Sequence, residues 1–465
     1  MPIIMRKRFR ARGLLAPGLF LALAVADLSA QTEPDANRPF GTLREQAVRQ
    51  QAWLKERLDS ILPGLMHKYG IDMWVVPMRE YNEDPVFSSL VSPTTFAARR
   101  RTIYVFFDRG PSRGVERIAL GGSSQGGLYD AVRSTRQVTA SVGGRQAELW
   151  GDQQWKVLKD VIEARKPRVI GIDISRTFAF ADGLSAGEYE GMSQALGPTW
   201  TKRFKRAEGL PVDLIAARLP DEQRFFHDLA ALTWAVIDTM FSSRVITPGT
   251  TRTSDLVWYF RQRVNDFGLG TWFQPSIDVQ RRGATEEQLG DDPVIQRGDV
   301  LHCDVGITAL RLNTDIQHLA YVLHDGETAP PAGLVQALTR SNRLQDIVME
   351  EIRPGRSGNE TLDSARKRMS SEGIDGTIYS HPIGLNGHGA GPLIGLWDYQ
   401  DGVPGRGDHR AIPNMWFSVE LQATTPVAEW GGQPVRMAQE EDMVMGPDGV
   451  PRWAYRRQTE LHLVH

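Results

Sequence analysis

The chain has 465 residues, with 54 Lys+Arg against 56 Asp+Glu, 41% hydrophobic and 24% charged residues. That length predicts two or three domains, and the composition excludes both a disordered chain and a miniprotein too small for a core. There is no basic excess of the kind that recognises nucleic acid or an anionic membrane, and the single cysteine, Cys303, excludes an intramolecular disulfide.

In chain order, the first feature is a charged segment holding Arg6, Lys7, Arg8, Arg10 and Arg12. An apolar run from Leu14 to Ala26 follows, and then Leu28-Ser29-Ala30 before Gln31. Charged region, apolar region and small-residue cleavage site form the pattern of a secretory signal over residues 1–30, so an exported protein, periplasmic or secreted, is expected. The apolar run is shorter than the roughly 20 residues of a spanning helix, and no other stretch approaches that length. No integral membrane span is therefore expected once the signal is removed.

Leu54, Leu58, Leu62 and Leu65 recur at helical spacing within 42–69, and Gly70 stops the pattern. Short β-rich runs at 73–76, 102–107, 117–120 and 168–172 alternate with helical stretches, notably 152–165. This predicts a smaller α/β domain over 42–205. Beyond it the texture becomes α+β over 215–465. A long helix is expected from about 219 to 243, and another over about 253–267 with Thr253 or Ser254 as its cap and Asp255 in its first turn. β-runs at 300–307 and 315–323, a helix pair at 333–352 and 360–371, and β-runs at 416–423 and 440–445 complete the chain.

The chemistry concentrates in this second part. Asp304 and Asp315 each sit in an apolar β-run, where an uncompensated carboxylate is costly to bury. Two strands joined by a short turn would bring them side by side, and carboxylates in contact call for a cation. In Trp416-Phe-Ser-Val-Glu420-Leu-Gln, alternation puts Val419 and Leu421 on one face and Ser418, Glu420 and Gln422 on the other. Glu441 opens a further β-run, flanked by Glu440 and Asp442. His381 and His388 lie seven apart in the glycine-dense stretch Ser380-His-Pro-Ile-Gly-Leu-Asn-Gly-His-Gly-Ala-Gly. Four carboxylates and an imidazole suit a pair of divalent ions such as Mn, Co or Zn.

In that order, Asp, Asp eleven later, His, Glu, Glu, the sequence resembles the metallopeptidases of the pita-bread fold over about 220–465, the family of aminopeptidase P, prolidase and methionine aminopeptidase. The preceding α/β domain looks like that of the aminopeptidase P, prolidase and creatinase branch. The resemblance implies two divalent metal ions held by Asp304, Asp315, His381, Glu420 and Glu441, with Glu420 also the general base for a bridging water and His388 near the substrate. A rival register makes His388 the ligand in place of His381. The implied activity is removal of an N-terminal residue, above all before proline, from a peptide substrate, or splitting of Xaa-Pro dipeptides. A metal-free creatinase-like C–N hydrolase and a non-enzymatic binding module on the same fold are the alternatives. A homodimer is a further implication.

The sequence also departs from the family pattern. Arg281-Arg-Gly-Ala-Thr-Glu-Glu-Gln stands where relatives often have a substrate-binding histidine, and Gln317 and His318 follow Asp315 where Thr and Arg are common. The arginine that relatives carry two residues before the last glutamate is not in place, Arg436 lying five before Glu441. Cys303, beside Asp304 on the same run, should point away from the metals into packing.

Overall fold

The computed structural model of the protein describes residues 38–134, 141–142 and 145–465. The signal pattern of residues 1–30 lies outside the described residues. Among those described, no helix is long and apolar enough to cross a membrane.

The first domain opens with α1 (Leu43–Glu56), whose Thr42 cap accepts from the Glu45 amide while Glu45 reaches back to the Thr42 amide. A single π-helical turn at Arg57–Ile61 leads into α2 (Leu62–Tyr69). Gly70 ends it at φ +59°, a left-handed conformation in which a side chain would be strained. Six strands follow: β1 (Met73–Arg79), β2 (Arg101–Asp108), β3 (Val115–Leu120), β4 (Asp130–Val132), β5 (Ile170–Ile172) and β6 (Phe204–Arg206). They form one mixed sheet in the order β4-β3-β2-β1-β5-β6. Alternation supplies both faces with apolar side chains. Trp74, Val76, Tyr104 and Phe106 pack with α1 and α2. Met73, Val75, Ile103 and Val105 pack with α3 (Asp152–Arg165) and α4 (Ala186–Leu196).

The second domain starts with α5 (Pro220–Met240) and α6 (Thr253–Asp266). The cap of α6 is Arg252, whose amide donates to Asp255 at 2.8 Å, while the Thr253 hydroxyl donates to Asp292. The capping position thus falls one residue before the two expected from sequence. A nine-stranded sheet contains β7 (Ser276–Gln280), β8 (Val300–Val305), β9 (Ile316–Val322), β10 (Asp375–Ile378), β11 (His381–Ile383), β12 (Trp416–Val427) and β13 (Gln433–Met445). Its main path runs β10-β12-β13-β9-β8-β7, with β11 on β12 and the short strands Pro451–Trp453 and His462–Val464 at the margins. Leu301, Cys303 and Val305 pack with α5 and α6, so the Cys303 thiol is buried in core, away from Asp304. Phe417, Val419 and Leu421 pack under α7 (Ala332–Glu351) and α8 (Gly358–Ser371).

The two domains are tied by buried polar contacts. The Arg57 guanidinium donates to Glu222 at 2.6 and 2.8 Å and to the Leu214 and Ala217 carbonyls. At the β8–β9 hairpin tip, Leu310 and Arg311 both take positive φ, and Arg311 donates to the carbonyls of Ser88 and Val91 in the first domain.

The segment that receives Arg311 begins at Asp84, which is buried beside Asp173. One oxygen of each carboxyl is unpartnered, and the others accept from the Val86 amide and the Trp74 indole. A proton shared between the two carboxyls satisfies both orphaned oxygens. Burial accordingly pushes Asp84 up to about 7, with the charge of Asp182 adding to it, and pushes Asp173 well above the carboxylate range, with the charge of Asp84 adding to that. Folding therefore takes up protons here, and the stability present at low pH is lost as pH rises from about 4 through about 7. An Asp173→Asn variant, whose amide replaces the shared proton, is expected to melt at a higher temperature than the parent at pH 8 and to show a flatter melting profile between pH 4 and 8. Calorimetry across that range checks this.

Candidate metal centre and active site

Two rows of side chains cross the middle of the second sheet. The register pairs Asp304 with Gln317, Gln317 with Glu440 and Glu440 with Glu420, so these four lie in line across β8, β9, β13 and β12 on one face. Two residues along lies the second row. Asp315 donates its amide to Asp442, Asp442 pairs with Ser418, and Ser418 pairs with His381. The sheet thus places five donors around one volume. Subsets of Asp304, Asp315, His381, Glu420 and Glu440 bring their ligand atoms within 4.8 Å of one another, and His388 joins Asp315 and His381 in a further such group.

The donors are held by their neighbours. His381 Nδ1 donates to the Pro382 carbonyl at 3.0 Å, which leaves the Nε2 lone pair facing Glu440 at 3.3 Å, Asp315 at 3.5 Å and Glu420 at 4.0 Å. The Gln317 amide donates to Glu440 at 2.8 Å and to Glu420 at 3.0 Å, and the Ser418 hydroxyl donates to Glu440 at 2.6 Å. Gln317 is itself oriented by His302, whose other nitrogen meets Asp278. Gly389 lets the following loop fold back, its amide donating to the Pro382 carbonyl; a Cβ there would sit 2.6 Å from that oxygen.

The electrostatics of this cluster call for a cation. Burial, with Glu440 next, pushes Asp304 up to about 7, and the same causes push Asp315 and Glu420 well above the carboxylate range. Burial disfavours a charged His381, but the Glu440 carboxylate 3.3 Å from Nε2 outweighs it and the ring's pKa is raised. Asp304 Oδ1, Asp315 Oδ1 and His381 Nε2 are buried with no hydrogen-bond partner. None of the ion pairs of these carboxylates among the described residues involves Lys or Arg. Oxygen-rich donors with one imidazole, unpartnered and mutually repelling, fit hard or borderline divalent ions.

Asp304, Asp315, His381 and Glu420 meet at this centre, but Glu441 does not. Its register partner is Val419, which points into the core, and its carboxylate accepts from the Gln458 amide at 2.8 Å, from His318 at 3.0 Å and from the Trp234 indole at 3.2 Å. Glu440 takes the place assigned to Glu441. The phase of the strand carries this signal in the sequence, because Val435, Met437, Met443 and Met445, all buried, alternate in step with Glu441 and out of step with Glu440. His388 stands beside His381, ring centroids 4.8 Å apart, on the solvent side. Gln317, Ser418 and Asp442 complete the centre. Sequence reading noted Gln317 only as a departure and did not single out the other two.

A cavity of about 270 Å³ opens onto the centre, lined among others by Asp304, Gln317, Glu420, Tyr379 and Trp397. Residues 226–445 match the sequence pattern of metallopeptidase family M24. This catalytic domain belongs to metallopeptidase family M24. The chain is also similar in fold to the X-Pro aminopeptidase from Thermotoga maritima MSB8, at 18% identity and a TM-score of 0.57 over 86% of this chain and 100% of that one. The Xaa-Pro dipeptidase from Bacillus anthracis gives 18%, 0.58, 90% and 99% in the same terms. The N-terminal domain of FACT complex subunit SPT16 from chickpea (Cicer arietinum) shares the fold at 12% identity, with a TM-score of 0.56 over 89% of this chain and 99% of that one. No curated protein matches the sequence. The M24 domain sits behind the smaller α/β domain, which gives the metallopeptidase its α+β, pita-bread architecture with an N-terminal extension.

Metal affinity distinguishes the two adjacent glutamates. Glu440→Ala is expected to lower affinity for Mn, Co or Zn by at least about tenfold. Glu441→Gln is expected to keep it while lowering the melting temperature. His381→Ala should lose metal where His388→Ala retains it. Titration calorimetry with each ion, beside thermal melts, decides both comparisons.

Proposed function

We propose that this M24 enzyme is an exported dinuclear-metal exopeptidase that hydrolyses the bond after an N-terminal residue, preferring proline in the second position. The observation that carries the reading is the convergence of Asp304, Asp315, His381, Glu420 and Glu440, three of them with buried unpartnered donor atoms, at the floor of a solvent-connected cavity. Export is supported by the N-terminal charge and hydropathy pattern, and the proline preference by the fold shared with the X-Pro aminopeptidase of T. maritima and the Xaa-Pro dipeptidase of B. anthracis.

Asp304, Asp315, His381, Glu420 and Glu440 would hold the ions. Bound there, two divalent ions supply a Lewis acid for the scissile carbonyl and lower the pKa of a water. The proton chemistry falls to Glu420. Its side chain is 22% exposed where those of Asp315 and Glu440 are 5% and 1%, so it is the carboxylate of these three that faces the cavity. Gln317 occupies Oε1, leaving Oε2 to accept the proton from the attacking water and return it to the leaving amine. His381 holds its lone pair inward through the Pro382 carbonyl, and His388 on the solvent side is placed to hydrogen-bond the substrate.

Two measurements test this. Chelation should abolish cleavage of Xaa-Pro peptides and added Mn, Co or Zn should restore it; turnover that persists with no bound metal overturns the reading. Glu420→Gln, assayed with metal added to saturation, should cut kcat by roughly 10²–10⁴-fold.

A further inference from the structure

The junction of the two domains is rich in buried positive charge. Arg57 donates to both oxygens of Glu222, and the Leu219 amide donates to the same carboxylate at 2.9 Å. Glu222 is thereby committed to one arginine. Arg311, at the hairpin tip, donates to the carbonyls of Ser88, Val91 and Ser92, which take up three of its hydrogens but supply no countercharge. Burial lowers its pKa, with no carboxylate acting against the shift. Arg218, buried just before α5, gives Nη2 to the Ile215 carbonyl and leaves Nε and Nη1 buried with no partner. Burial lowers the Arg218 pKa to about 9; Glu222 opposes that shift and Arg57 adds to it, which places the three groups within electrostatic reach of one another. Among the described residues, Glu222 pairs with Arg57, and neither Arg218 nor Arg311 has a carboxylate at ion-pair distance. Three arginines share one glutamate.

A cavity of about 30 Å³ sits among these groups, lined by Arg57, Glu222, Arg311, Ser89, Trp53 and Leu385. That volume is on the order of one water molecule or one monatomic ion. The Ser89 hydroxyl is buried with no hydrogen-bond partner, so the wall offers an unused donor beside cationic groups. Arg311 belongs to the hairpin between Asp304 and Asp315, and Leu385 to the stretch between His381 and His388. An occupant of the cavity therefore touches both segments that carry the metal donors.

We infer that this cavity binds one small monovalent anion, of the size and charge of chloride, against the Arg57 and Arg311 guanidiniums and the Ser89 hydroxyl. A cation is repelled by the arginines, and sulfate, phosphate or a peptide carboxylate is too large for the space. Water satisfies Ser89 but leaves the arginines without countercharge. The walls come from both domains, so the anion binds the folded chain alone and fastens the hairpin tip to the first domain. This site is separate from the peptidase reading and does not depend on it.

The test is thermal melting of the full protein at constant ionic strength, with sodium gluconate replaced stepwise by sodium chloride. A ligand of the folded state raises the melting temperature in proportion to its occupancy, here by roughly 2–4 °C with a midpoint that saturates. Arg311→Gln keeps an amide to donate to the first-domain carbonyls while removing the charge, and Ser89→Ala removes the hydroxyl alone. Each should move the chloride midpoint at least about fivefold higher. A parent crystal soaked in bromide should show an anomalous peak inside the cavity, a result that requires no variant to fold. Equal melting temperatures in gluconate and chloride, an unchanged chloride midpoint in both variants, or a bromide-soaked crystal with no peak in the cavity overturns the inference.

Discussion

Everything in the second domain is arranged around the cost of putting four carboxylates and an imidazole on one face of a sheet. An ion removed from water costs several kcal/mol even after relaxation, and like charges in contact add to it. Proteins usually offset such a cost with arginine or lysine, yet the ion pairs of these carboxylates among the described residues are all with His381. Raised carboxyl pKa values, a raised imidazole pKa and three unpartnered atoms are one physical fact seen from different groups. The cluster binds positive charge, as protons or as metal.

Such a cluster must be held by structure that does not depend on its occupant. The sheet register does this with two rows spaced by one pleat, so that of the donors only Asp315, one residue before β9, and His388 lie outside its strands. Neutral donors then fix the rotamers. Gln317 and Ser418 spend their hydrogens on Glu440 and Glu420 without adding charge, which leaves the field of the cluster intact for an ion. On the other side of the same strand, Glu441 meets a different solution. Three donors, from His318, Trp234 and the Gln458 backbone, surround it and weld α5, β9 and the C-terminal segment to β13. Two adjacent glutamates, one residue apart in phase, thus serve separate tasks.

That phase explains what the sequence disclosed and what it did not. Asp304, Asp315, His381 and Glu420 stand in apolar or glycine-dense settings that leave each of them chemically conspicuous, and the alternation around Glu420 assigns it to the polar face of β12. In Gln439-Glu440-Glu441-Asp442 no composition signal separates the candidates, and a local match to a Glu-Asp-x-Val pattern favours Glu441. The deciding information is carried by methionines two and four residues away, whose burial becomes evident only when the strand is paired. The architecture, mixed α/β followed by α+β, was legible because strand and helix periods differ. The hydrogen-bonding roles of Gln317 and Ser418 were not, because a buried polar side chain acquires its partner from register, which a single sequence does not state.

The first domain acts on the centre through the hairpin between Asp304 and Asp315. That hairpin turns at two non-glycine residues of positive φ, a conformation that persists only where surrounding contacts over-determine it. Arg311 supplies those contacts by donating to Ser88 and Val91 carbonyls across the domain boundary, while Arg57 and Glu222 fix the domains near the start of α5. Two donors of the candidate metal centre are thereby joined by a turn whose shape is set in another domain. The buried Asp84 and Asp173 pair stands at the start of the segment that receives Arg311, and Asp315, which precedes the first paired residue of β9, is the donor that the sheet register holds least. The α/β domain is on these grounds part of the scaffold of the metal centre as well as a wall around it.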